Sequence, residues 1–199
     1  AINFHDGPLP AYAGLNTPMW ALLHGEQEYA VSWHVMAAGV DEGDLLLQAP
    51  VPIAEDDTAV SLNTKCFAAA MESFPRLLEQ LEAGALRPAP QDLSRRSYFG
   101  RLKKPSAAGA LDWRASAGEL ARRVRALDTG RYPNPLASAK LLLDGGMLLV
   151  ETAEAVGIDS TAAPGTVLAG DDRLRVQGGE VALEISALRA PEGRAVPVR

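Results

Sequence analysis

The chain has 199 residues, with 19 Lys and Arg against 25 Asp and Glu, giving a net charge of −6 at neutral pH. That length suits one large or two small domains, and the acidic balance argues against a nucleic-acid-binding surface. No run reaches the roughly 18 apolar residues of a membrane span, no signal peptide is visible, and the lone Cys66 rules out an internal disulfide.

Residues Ala1–Phe4 read as the end of a strand entering a loop that Gly7, Pro8, Pro10 and Gly14 keep irregular. Thr17-Pro18 predicts a helix start, with the threonine hydroxyl as cap and proline in the first turn. Met19, Trp20, Leu22 and Leu23 are its candidate buried residues, and Gly25 ends it. Tyr29–Met36 and Asp44–Val51 predict two strands around a Gly39–Gly43 turn, with Pro50 and Pro52 limiting the second to an edge or marking its own end. Across Thr58–Glu82, Leu62, Cys66, Phe67, Ala70, Phe74, Leu77, Leu78 and Leu81 recur at helical spacing, which predicts one buried face. Pro75 predicts a kink or a split there. Cys66 within that face reads as a buried structural thiol.

Pro88–Arg101 reads as a loop rich in proline and arginine, and Lys103–Gly109 as a linker between a domain of residues 1–108 and one of 109–199. Ser116 and Glu119 form a capping box that opens a helix to about Leu127. Short strands are predicted at Ala139–Leu143, Met147–Glu154, Gly165–Ala169, Arg173–Gln177 and Glu180–Leu188, with turns at Gly145-Gly146, Asp171-Asp172 and Gly178-Gly179. Such a series suggests a small barrel or sandwich.

Asn3 and His5 lie two residues apart, so an extended segment projects them to one face. With an acid such as Asp41 they would suit acyl transfer. An amide donates to a developing oxyanion, an imidazole moves or shares a proton, and a carboxylate orients the imidazole. Spacing alone also fits a loop-capping asparagine with a surface histidine, and an Asx-turn aspartate. His34 reads as a satisfied, partly buried histidine in an apolar strand. Three scattered histidines lack metal-ligand spacing, so no metal is expected. Ser61, Ser94 and Ser97 lack the context of a hydrolase nucleophile.

Several stretches together resemble the 10-formyltetrahydrofolate-dependent formyltransferases. They are Asn3-Phe4-His5, Pro8-Leu9-Pro10-x-Tyr12-x-Gly14, Val31–Met36, Asp41-x-Gly43, Leu111-Asp112-Trp113 and Ala163–Leu168. The His5 to Asp41 spacing, 41 − 5 = 36, also agrees with that family. The resemblance implies an α/β fold: the C-terminal part of a Rossmann-like formyltransferase domain, then a small OB-like β-barrel domain. It implies that family units preceding Asn3 are missing, so that the chain is an N-terminal truncation. Asn3, His5 and Asp41 become the implied catalytic set, and Ala37, Ala38, Gly39 and Val40 part of the implied pterin pocket.

The implied co-substrate is 10-formyltetrahydrofolate. Phe4–Pro10, Trp33–Met36 and Asp92–Gly100 most resemble the formylation domains of nonribosomal peptide synthetases. The implied acceptor is therefore an aminoacyl group on a carrier domain, in a cytoplasmic enzyme with no membrane partner. Methionyl-tRNA or amino-sugar formyltransferases, a formyl-folate hydrolase and a non-catalytic module are the alternatives.

Overall fold

The computed structural model describes residues 1–158, 161–168 and 173–198. Two units divide the chain, Ala1–Lys103 and Lys104–Arg199. The first contains β1 (Ile2–His5), β2 (Ala13–Gly14), α1 (Thr17–His24), β3 (Glu28–Val35), β4 (Leu45–Pro52), α2 (Ala59–Glu82) and β5 (Tyr98–Phe99).

Its main sheet runs β1-β3-β4 with both pairings antiparallel. Pro50 and Pro52 lie in β4, one of the two outer strands, where a missing amide donor costs no ladder bond. β2 and β5 pair in parallel, so the stretch read as the Pro88–Arg101 loop contains a short strand. It also contains a single 3-10 turn, Leu93–Arg95.

The sheet has two distinct faces. Phe4 and Trp33 face each other across β1 and β3 with ring centroids 5.3 Å apart. Phe67 and Phe74 of α2 lie against them, and the Trp33 indole donates to Ser73 Oγ at 2.9 Å. The opposite face carries Asn3, His5, Ser32 and His34, paired Asn3 with His34 and His5 with Ser32. Directly opposed residues share a face in an antiparallel pair, which is what gathers these polar groups.

The start of α1 differs from expectation. Asn16, at φ 57°, is the N-cap, and its side chain makes no capping bond. Thr17 lies inside the helix, and its hydroxyl instead donates to the Asp6 carbonyl and to Asp6 Oδ1 at 3.1 and 3.0 Å. A buried hydroxyl pinning the preceding loop replaces the predicted cap. Gly25, at φ 76°, closes the helix.

α2 opens with a reciprocal box between Thr58 and Ser61 and continues without a break through Pro75. The predicted split is absent: Pro75 is exposed while Ser73 and Leu77, on either side, stay buried in one stripe. The predicted buried face is also too wide. Leu62, Cys66, Ala70 and Leu77 are buried, whereas Phe67, Phe74, Leu78 and Leu81 remain 39–55% exposed. These four, with Met71, lie about a quarter-turn round the helix from the buried stripe, and of them Phe67 and Phe74 still touch Phe4 and Trp33.

The second unit holds α3 (Ala117–Ala126), β6 (Lys140–Leu143), β7 (Gly146–Val156), β8 (Val167–Leu168), β9 (Leu174–Gln177), β10 (Ala182–Arg189) and β11 (Ala195–Val196). The predicted Ser116–Glu119 capping box is present. Leu120, Ala121 and Val124 of α3 are buried, and the helix packs on β7 and β10. The strands form one antiparallel sheet in the order β6-β7-β10-β9-β8, with β11 added to β10. A bulge lies between Ile185 and Leu188 in β10. Buried Glu184 is held there by Arg173 and Arg175 at 2.5 and 2.9 Å. The predicted Gly165–Ala169 strand is shorter, and its Ala169, like the Asp171-Asp172 turn, lies outside the described residues.

Candidate active site

The polar sheet face becomes a site because three loops close on it. The loop after β1 is clasped by Ser32, which donates to the Gly7 carbonyl at 2.6 Å and accepts from the Leu9 amide at 3.1 Å. Gln48 Nε2 reinforces the clasp, donating to the Leu9 carbonyl and to Ser32 Oγ at 2.9 Å each. The turn between β3 and β4 brings in Asp41, at φ 57°. The 88–101 stretch buckles that turn. Gln91 Nε2 donates to the carbonyls of Asp41 and Gly43 at 2.8 and 2.6 Å, and Arg96 Nη2 donates to that of Val40 at 2.9 Å.

His5 is 5% exposed, and its Nε2 lies 2.7 Å from the Tyr12 carbonyl. A carbonyl only accepts, so Nε2 carries the proton, and Nδ1 faces the site. Nδ1 is 3.5 Å from Asp41 Oδ2 and 3.9 Å from Asp6 Oδ1. Asp41 Oδ2 also accepts from the Gly14 amide at 2.9 Å. Gly7 is required beside this arrangement, since a Cβ there would lie 2.7 Å from His5 Nε2 and 2.8 Å from the Tyr12 carbonyl oxygen.

His34 joins the group. It is indeed buried and satisfied, with Nδ1 on the Val35 carbonyl at 2.9 Å. Its Nε2, however, lies 3.2 Å from Asn3 Nδ2 and 3.5 Å from Asp41 Oδ1. Asn3, His34, Asp41 and His5 thus form one chain of contacts. Burial would lift the Asp41 carboxyl. With the rings protonated, the His34 bond, the Gly14 amide and the charges of His5 and His34 outweigh it and hold the group below the usual carboxylate range.

Ala37, Ala38 and Val40 stand exposed at the rim with Met36, and Gly39 is partly covered. Sequence reasoning missed Gln91, Arg96, Ser32 and Gln48 as supports, and it set His34 aside. Alternation within β3 does place Ser32 and His34 on one face, but the register that adds Asn3 and His5 has no local signature. A separate cavity in the second unit, bounded by Leu127, Thr129, Arg131 and Tyr132, contains none of these residues. Among the described residues, no His, Cys, Asp and Glu group is placed to hold a metal ion, and no helix is long and apolar enough to cross a membrane.

The family model described as "Formyl transferase" matches residues 1–78, and that described as "Formyl transferase, C-terminal domain" matches residues 104–199. The chain belongs to the formyl transferase family. A methionyl-tRNA formyltransferase of Burkholderia mallei is 38% identical over 200 residues, covering 100% of this chain and 59% of that protein. The chain therefore spans about three fifths of the length of this curated relative.

Solved structures share the fold. An N-formyltransferase from Helicobacter canadensis, in complex with folinic acid and dTDP-3-aminofucose, superposes at TM-score 0.75 and 18% identity, covering 98% of this chain and 66% of that one. HypX from Aquifex aeolicus, in complex with tetrahydrofolic acid, gives 0.73 at 22% identity, covering 98% and 33%.

Proposed function

We propose that the complete protein carrying this chain transfers a formyl group from 10-formyltetrahydrofolate to a primary amine. The observation that carries the reading is the convergence of Asn3, His5 and Asp41 around His34 on one sheet face. The amine nitrogen attacks the formyl carbon, and the carbonyl electron pair moves onto oxygen. The Asn3 amide donates to that oxyanion, an interaction worth roughly a hundred- to a thousand-fold in rate. His5, its Nε2 held by the Tyr12 carbonyl, presents Nδ1 and, when protonated, adds positive charge.

Asp41 orients His5 and takes the amine proton through a water. The tetrahedral centre then collapses, the bond from carbon to folate N10 breaks, and N10 takes up a proton. The exposed Met36, Ala37, Ala38 and Val40 form a small apolar wall beside Asp41, with Gly39 between them, which suits a flat pterin ring.

The acceptor is the amine of an aminoacyl group, carried as a thioester on a carrier domain. Residues 1–108 hold 8 basic against 13 acidic side chains and residues 109–199 hold 11 against 12, a poor balance for gripping tRNA. The methionyl-tRNA formyltransferase relative at 38% identity favours aminoacyl-tRNA as a second reading.

The test supplies the complete gene product with 10-formyltetrahydrofolate. Separate arms hold an aminoacyl carrier domain, an aminoacyl-tRNA, a dTDP-amino sugar, or no amine. A formyl mass gain confined to one acceptor identifies it. Free formate in the amine-free arm indicates hydrolysis. Absence of both reactions overturns the catalytic reading in favour of a non-catalytic module.

A further inference from the structure

The geometry points to His34 as a positioning residue that decides which edge of the Asn3 amide faces the reacting carbonyl. Its chemical meaning rests on the formyl-transfer reading, while its geometry does not. His34 Nδ1 faces the Val35 carbonyl at 2.9 Å and must carry a proton. In the neutral ring, Nε2 is then a bare acceptor, and the group 3.2 Å away is the Asn3 amide nitrogen.

The ring therefore selects one orientation of the amide. One Asn3 N–H is spent on His34, and the second stays available to an oxyanion. A flipped amide would set its oxygen against the Nε2 lone pair and offer that oxygen to the developing negative charge. Both contacts are repulsive, so the bland core histidine enforces the useful edge.

The same Nε2 is 3.5 Å from Asp41 Oδ1, while Asp41 Oδ2 is engaged by the Gly14 amide. A ring bearing a second proton could no longer accept from Asn3 and would donate to Asp41 instead. The bonds from Nε2 to Asn3 and to Asp41 are alternatives on a single nitrogen. The charged group that meets the ring is Asp41 from the turn, whose other oxygen lies 3.5 Å from His5 Nδ1 of β1, while β4 presents the apolar Leu45 opposite His34.

Two variants and two readouts test the inference. His34→Ala removes the acceptor, whereas His34→Gln retains one. In the 15N-labelled chain, His34→Ala should shift the Asn3 side-chain amide resonances, and His34→Gln should restore them toward the parent. In the complete gene product, His34→Ala should lower kcat on the order of ten- to a hundred-fold and leave the donor KM within about twofold, with His34→Gln recovering most of the loss.

Unmoved Asn3 resonances in a folded His34→Ala chain would overturn the inference. So would equal kcat losses in both variants accompanied by equal losses of melting temperature, the mark of a purely structural residue. If the unsubstituted gene product transfers no formyl group, the functional reading fails, and the amide resonances alone decide the positioning role.

Discussion

Asp41 occupies the left-handed backbone region at φ 57°, a conformation aspartate tolerates better than most residues. Asp41→Asn keeps that tolerance and the side-chain shape while removing the charge. Formyl transfer should fall on the order of a hundred- to ten-thousand-fold with little change in melting temperature, and a variant with parental kcat would remove Asp41 from the mechanism. Gly7→Ala is a second residue-scale test. Its methyl group would intrude between His5 Nε2 and the Tyr12 carbonyl, so activity should drop and the His5 ring resonances should move in an otherwise folded chain. Cys66 gives a third. Burial, reinforced by the charges of Asp6 and Asp57, pushes its thiol up to about 12, so native protein should resist alkylation that denatured protein undergoes readily. Equal labelling rates in the two states would contradict this. Asn3, His5 and Asp41 could be grouped only through the family resemblance, because spacing alone fits a capping asparagine, a surface histidine and an Asx-turn aspartate as well. His34 could not be added to them, because a histidine in an apolar strand reads the same whether it fills space or steers an amide. Only the pairing of Asn3 with His34 separates the two.

α2 owes its continuity to a buried stripe that outlasts a local fault. Pro75 has no amide hydrogen to donate to the Met71 carbonyl, yet Ser73 and Leu77 stay packed on the same side. Pro75→Ala should restore that bond and raise stability by about 1–3 kcal/mol in urea unfolding; an unchanged or lower midpoint would show that the proline is accommodated without cost. Helical periodicity revealed the length of α2, and Pro50 and Pro52 revealed the edge role of β4. Periodicity could not show which part of a broad apolar band is buried. Phe67, Phe74, Leu78 and Leu81 repeat as regularly as Leu62 and Cys66, and only the tertiary packing tells the half-exposed set from the buried one. The start of α1 was misread for a related reason. A threonine before a proline satisfies the capping rule in sequence, but its hydroxyl here serves Asp6, a tertiary partner that no local rule can supply.

At the scale of the whole molecule, acid sensitivity should trace in part to Asp57. This buried carboxylate accepts from Lys65 at 2.6 Å and from Ser61 and the Ala54 amide at 2.7 Å each. Burial works to raise it, but the bonds from Lys65, Ser61 and Ala54 prevail and hold it below its ordinary value. A depressed folded-state value contributes stability above the unfolded-chain value of about 3.9, and that stability is lost as pH falls through the folded value. Asp57→Asn should flatten the decline of melting temperature below pH about 4; an unaltered acid slope would exclude this source. The change of character from long helical pattern to short strands was legible in composition and turns. The tie between distant stretches was not, because nothing in Gln91 or Arg96 advertises a partner some fifty residues earlier. That tie makes the 88–101 stretch a tensioner for the carboxylate. Arg96 also stacks on the exposed ring of Tyr98, so a disturbance of that ring would be passed through the guanidinium to the Val40 carbonyl, one residue from the acid.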